Sequence, residues 1–204
     1  MQKKIDLDYI RKLIDETSKL SSVTYEDLPN YNLFLSQVID LLNDKFVDER
    51  FTDNIIQNYI KNEVITKTKL GKKRGYTKTH LIQLILLGYM RPILSTEEIK
   101  KVFKLAFNEI NDTNDDILSW EETYKIFIQN QKESFNQHLI PTLTNEVKID
   151  EMVKKCNLKD KDEEQIRIFL LVLSLISEAS AIKSLVEKIV NKEYELKQEV
   201  GNIR

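Results

Sequence analysis

The chain has 204 residues, 41% hydrophobic and 31% charged with both signs interleaved, at a formal charge of −2; that is enough apolar side chain for a core, in one domain or two small ones. Four glycines and three prolines argue against a strand-and-turn architecture and for long helices. The single cysteine, Cys156, excludes an internal disulfide and any cysteine-cluster zinc site within one chain.

The opening residues, Met1 to Asp6, run into acids and a polar helix and carry no signal-peptide pattern. The longest apolar runs, at 81–87 and 168–176, fall short of the roughly 20 residues that cross a bilayer. A cytoplasmic protein without membrane contact is expected.

Leu7, Ile10, Ile14 and Thr17 share one helical face, and Tyr25 to Asn30 reads as a turn, so residues 1–29 form an N-terminal helix and turn. Phe34, Val38, Leu41 and Leu42 mark a second amphipathic helix that fades at 44–49. Thr52 is a suitable N-cap, and Asp53 behind it complements the helix dipole. A short helix then carries Ile55, Ile56, Tyr59 and Ile60. The β-branched Val64 and Ile65 open a small hairpin with its tip at 70–75 and its return at Tyr76. Thr77 caps a helix that is apolar nearly all round from Leu81 to Leu87 and is therefore central and buried. Ser95 with Glu98, and Ser119 with Glu122, are capping boxes that open two more helices. The polar stretch 111–116 between them is the candidate domain boundary.

From Ile168 the apolar positions Val172, Leu175, Ala179, Ile182, Val186 and Ile189 follow at alternating spacings of four and three, and the pattern runs through Glu193 to Leu196 and Val200. This is a heptad seam. A continuous helix over 162–200 would be about 58 Å long at 1.5 Å per residue; a break near Ser177–Ser180 would give two antiparallel helices instead.

The strongest functional signal lies between Lys61 and Lys78. Lys61, Lys67, Lys69, Lys72, Lys73, Arg74 and Lys78 face one acid, Glu63, so this stretch sums to +6 and leaves −8 for the remainder. A short helix followed by a basic, glycine-punctuated loop is a means of meeting DNA phosphates. Lys69, Lys72, Lys73 and Arg74 would follow the backbone, and Gln57, Asn58 and Lys61 would face outward on the helix, where Gln and Asn can pair with adenine.

Residues 52–103 resemble the DNA-binding half of the MerR family of winged-helix regulators. Asn54 to Ile65 lies where that family has its recognition helix and the start of its wing. The resemblance makes Tyr59 a phosphate-contacting tyrosine and Arg74, two residues before Tyr76, the phosphate-binding arginine of the wing. Tyr76-Thr77-Lys78-Thr79-His80-Leu81 is similar to the wing exit and the cap of the third helix, and Ser95-Thr96-Glu97-Glu98-Ile99 to the opening of the fourth. Asn54 replaces an arginine of the pattern, Asn58 an aromatic, and Glu63 a glycine. The whole chain also resembles the YkrK-like family of bacterial proteins, a group to which no activity is attached.

The expected fold is thus mainly α: a MerR-like winged helix-turn-helix with a small β-wing over 30–110, and a helical dimerisation or sensing region over 111–204. The expected function is DNA-binding transcriptional regulation. The partners are double-stranded DNA and a second copy held through the C-terminal helix, with Gln57, Asn58, Tyr59, Lys61, Lys69, Lys72, Lys73, Arg74 and Tyr76 at the DNA. The alternative is a protein-interaction or scaffold module that kept the winged fold without the DNA contacts. No P-loop, dinucleotide glycine pattern, nucleophile elbow or metal-ligand spacing is present, so neither catalysis nor a cofactor or metal is expected. Trp120, Tyr124, Phe127 and Phe135 read as core more than as an effector pocket. Asp112, Asn114 and Asp116 begin like a calcium loop but lack its glycine and glutamate.

Overall fold

The computed structural model describes residues 12, 23–46, 49–68, 75–114, 116–134 and 160–201. The first helical face at Leu7, Ile10, Ile14 and Thr17, the loop residues Lys69, Lys72, Lys73 and Arg74, and Phe135, His138 and Cys156 lie outside them. The described chain is mainly helical: α1 (Leu35–Lys45), α2 (Asp53–Lys61), α3 (Lys78–Met90), α4 (Thr96–Phe103), α5 (Trp120–Ser134) and α6 (Asp160–Gly201).

The chain divides into two compact units. One comprises Leu20–Gln129 with Glu187–Arg204, and the other Met1–Lys19 with Asn130–Val186.

In the first unit α3 is the hub, as its all-round apolarity requires. Every residue from His80 to Gly88 is buried, with Leu81, Leu84, Ile85 and Leu87 at zero exposure. Burying one such aliphatic side chain contributes about 1.5–3 kcal/mol, so this helix holds much of the unit together. Gly88 has a specific packing role. A Cβ there would lie 2.5 Å from Cε2 and 2.6 Å from Cζ of Phe46, whose ring stands edge-on to Tyr89 at 5.1 Å and near Phe51 at 5.9 Å.

The capping expectations hold. Thr52 Oγ1 accepts from Ile55 N at 3.4 Å. Ser95 and Glu98 reciprocate at α4, and Ser119 and Glu122 at α5. At α3 the N3 residue is His80, and its Nδ1 accepts from Thr77 N at 3.1 Å.

The hairpin expected between Val64–Ile65 and Tyr76 is not formed by those residues. Among the described residues there are no strands, and Tyr76 forms an isolated antiparallel bridge with Leu33, just before α1. Tyr76 O accepts from Leu33 N at 2.8 Å and Tyr76 N donates to Leu33 O at 3.3 Å. Val64 and Ile65 are buried instead, and the segment after them is fixed by a side chain of α3. The fully buried Gln83 Oε1 accepts from Thr66 N at 3.0 Å, and its Nε2 donates to Thr66 Oγ1 at 2.7 Å. Thr66 Oγ1 donates on to Ile110 O at 2.9 Å, and Lys67 N to Asn111 Oδ1 at 2.8 Å. A buried amide is affordable only when so satisfied. It replaces sheet pairing as the anchor here.

Trp120 and Tyr124 are core, as their helical spacing suggests, and Phe127 is half-buried. Trp120 stacks on Phe107 at 3.5 Å and meets Phe103 edge-on; Tyr124 OH donates to Val23 O at 2.8 Å; Phe127 packs on Tyr89. Asp112 Oδ1 accepts from Asn114 N in a local turn.

Helix α6 runs unbroken through Ser177–Ser180. Its stretch Ile166–Lys192, 27 residues, holds an 18-residue segment of mean hydropathy 1.8 and is, by length and composition only, enough to cross a membrane. The apolar pattern thus extends beyond the run at 168–176, past Ser177 and Ser180, with Glu178 and Lys183 as charges in its middle. Leu171 is buried in the second unit, while Val172, Ile176, Ile182 and Leu185 are exposed.

Candidate nucleic-acid interface

The α1–turn–α2 unit presents the face in question. At 100° per residue, Ile55, Ile56, Tyr59 and Ile60 form the inner side of α2, with Ile56 fully buried. Asn54, Gln57, Asn58 and Lys61 form the outer side, and all four are exposed. Asp53, one turn before Gln57 and also exposed, stands at the edge of that stripe.

The turn before α2 is pinned by a residue that the sequence reading passed over. Asn43 of α1 accepts from Phe51 N at 2.7 Å and donates to Phe51 O at 3.1 Å, satisfying both backbone groups of a buried residue. Arg91 reinforces it, pairing with Glu49 at 2.8 Å and lying 4.7 Å from the Phe51 ring centroid. The only sequence signal was an amide eight residues ahead of an aromatic, which many helices share.

The far end of α2 closes in a Schellman pattern, with Val64 N donating to Tyr59 O at 2.9 Å and Glu63 N to Ile60 O at 3.1 Å. Glu63 sits at φ 55°, where glycine costs nothing and other residues about 1 kcal/mol. Lys100 of α4 donates to Asn62 O at 3.0 Å and so satisfies an end carbonyl of the helix.

The expected contacts now divide. Gln57 is exposed, but its Nε2 donates to Tyr76 OH at 3.2 Å. Asn58 is exposed, with its Oδ1 accepting from Asn62 Nδ2 at 3.0 Å. Lys61 is exposed and Tyr59 is half-buried. Tyr76 is a correction: at 6% exposure it is a core residue and cannot offer its face to a phosphate. It is buried because the Leu33 bridge turns its ring toward His80, 5.6 Å away. Burial and the nearby Asp53 push its phenol above the ordinary range, against a smaller opposing effect of Gln57.

Two further lysines of the basic stretch are engaged. Lys67 pairs with Glu63 at 2.8 Å, and that contact, with weaker ones from Lys100 and Lys104, holds the Glu63 carboxyl below its ordinary range. Lys78 donates to Asn30 Oδ1 at 2.8 Å and lies 3.8 Å from the Tyr25 ring centroid, so it secures the N-terminal turn instead of facing outward. Of the basic stretch, Lys61 is exposed on α2, while Lys69, Lys72, Lys73 and Arg74 lie outside the described residues. Among the described residues no group of three or more metal-ligating side chains converges.

A mainly helical unit built on α1–α4, with a turn clamped between its first two helices, is the class of domain this geometry defines. The chain belongs to the family described as Domain of unknown function (DUF1836), whose model matches residues 23–127. It is also similar to "Uncharacterized protein YkrK" of Bacillus subtilis (strain 168), 34% identical over 67 residues, which is 31% of this chain and 28% of the relative. The match thus spans less than a third of that relative's length. No solved structure matches. The likeness to the YkrK-like group is borne out by these comparisons.

Proposed function

We propose that the chain binds double-stranded DNA as a homodimer and acts as a transcriptional regulator. In this reading α1, the clamped turn and α2 are a degenerate winged helix-turn-helix, and Lys69, Lys72, Lys73 and Arg74 are its phosphate contacts. The observation that carries it is the polar outer stripe of α2, Asn54, Gln57, Asn58 and Lys61, with Asp53 at its edge, in a chain whose stretch from Lys61 to Lys78 sums to +6. Amides on such a stripe suit base edges, and lysines and arginine beside it suit phosphates. A single reading helix makes few contacts, so a symmetric pair is required for useful affinity. The exposed seam of α6 supplies a surface for it.

One observation favours the alternative of a protein-interaction module. Gln57 and Asn58, the two amides meant for bases, already hydrogen-bond to Tyr76 and Asn62. A salt titration on random duplex DNA separates the two readings. Five basic side chains per subunit on phosphate give a dimer a log–log slope near −9, at about −0.9 per neutralised phosphate. Replacing Lys72, Lys73 and Arg74 with alanine should bring the slope to about −4. A flat response from the unaltered protein excludes the DNA reading.

A further inference from the structure

The first turn of α2 differs from the rest of its outer stripe. Gln57 and Asn58 are each held by a hydrogen bond inside the chain, to Tyr76 and to Asn62. Asn54 is exposed, and its side chain hydrogen-bonds to none of the described residues. Arg50, three residues before the helix, is also exposed, and its guanidinium meets no partner among the described residues. Arg50 lies outside the basic stretch at 61–78, and Asn54 is a departure from the MerR pattern, so charge pattern and resemblance both pass over this pair.

The two side chains stand on fixed backbone. Arg50 O accepts from both terminal nitrogens of Arg91 at 3.4 Å. The next residue, Phe51, carries the Asn43 clamp, and Thr52 caps the helix through Ile55 N. A backbone tied in this way leaves little ordering cost for binding.

The dimensions suit a groove. With nine residues at 1.5 Å each, α2 is about 13.5 Å long, close to the roughly 12 Å width of the major groove. Arg50 stands before one end and Lys61, also exposed, at the other, so two cations bracket the amides at the spacing of the strands that border the groove. Reading helices of helix-turn-helix domains place their N-terminal residues at base edges. An amide with its oxygen and its NH2 both unengaged matches the N6 amino group and N7 of adenine together. Asp53, exposed beside Asn54, repels phosphate but accepts from an exocyclic amino group. It keeps this turn on base edges and leaves the backbone to Arg50.

We propose that Asn54 reads sequence by pairing its amide with an adenine in the major groove, and that Arg50 holds the neighbouring phosphate. The proposal rests on the DNA-binding reading above and adds to it the end of α2 that carries specificity. Arg50 becomes a sixth cation beside the five counted there.

The test incubates the full chain with a duplex library of random sequence and sequences the bound fraction, which gives the base preference at each position; a salt titration on the same library gives the slope. Asn54→Ala should lower the preference for adenine at one position of each half-site by roughly fivefold to 150-fold and leave the salt slope unchanged. Asn54→Arg should move that preference to guanine. Arg50→Ala should do the opposite of N54A, flattening the log–log slope by about 0.9 per subunit without changing the preferred bases. An adenine preference that survives N54A, an erosion by N54A that is equal at every position, or a slope unmoved by R50A overturns the assignment while DNA binding stands. A steep slope with no preferred base in the natural protein does the same. A flat slope from the natural protein sinks the DNA reading itself, and the assignment falls with it.

Discussion

Gly88→Ala sets two known effects against each other on the central helix. Alanine in a helix interior is favoured over glycine by roughly 1 kcal/mol. The added methyl, however, would stand 2.5 and 2.6 Å from two carbons of the Phe46 ring, and 3.1 Å from a third. Relief requires that ring to move by on the order of 1 Å to reach ordinary carbon contact. The ring is confined by Tyr89 and Phe51, and Lys45 Nζ lies 5.8 Å from its centroid. Overpacking of this kind costs about 1–3 kcal/mol. The upper half of that range applies because the obstacle is a packed ring and not the end of a flexible chain. The net expectation is a loss of about 1–2 kcal/mol, which at a urea m-value of about 1–3 kcal/mol/M lowers the midpoint by roughly 0.5–1 M. Phe46→Leu in the same chain should recover most of the difference, giving a double-mutant coupling of about 1 kcal/mol or more. A raised urea midpoint for G88A would show that Phe46 does not occupy the space beside α3, and the account of the turn built on it would fail.

Asn43→Ala should cost about 1–3 kcal/mol, because it strands both backbone groups of buried Phe51; Asn43→Asp should be milder, since the acceptor for Phe51 N–H survives. A urea midpoint unchanged by N43A would count against the clamp. His80 gives the protein a specific pH response. Burial lowers its pKa from 6.5, and although the Thr66 and Lys67 carbonyls favour its proton, Nε2 makes no hydrogen bond among the described residues. Thr77 N can only donate, so Nδ1 accepts and the folded ring is neutral with its proton on Nε2. The unfolded chain therefore binds more protons. This contribution is fully present above pH 6.5 and is lost as pH falls from 6.5 toward the folded value, by up to about 1.4 kcal/mol per pH unit. Carboxylates held low by hydrogen bonds, such as Glu98 and Glu122, titrate below 4.5 and stay out of that window. Urea midpoints at pH 5.2 and 7.5 should differ for the natural protein and much less for His80→Gln; an equal difference in both would refute the assignment.

The chain by itself determined the elements whose cause is local. Composition required long helices, Thr52, Ser95 and Ser119 marked their starts, and the unbroken apolar run at 81–87 could only be central. Periodicity also placed Trp120 and Tyr124 in the core. Tertiary structure alone decided the pairings, because they join residues that no short window contains. Leu33 reaches Tyr76 across 43 positions, Gln83 takes the backbone that a hairpin would have paired, and Lys78 turns to Tyr25. Tyr76 shows the limit most clearly. Its identity suits both a phosphate contact and a core, and only the direction of its ring, set by a neighbour distant in sequence, tells which. Charge pattern carried the same limit. Lys67 reads as surplus in the sequence and is neutralised in the fold, because the left-handed turn at Glu63 brings a carboxylate within 2.8 Å of it.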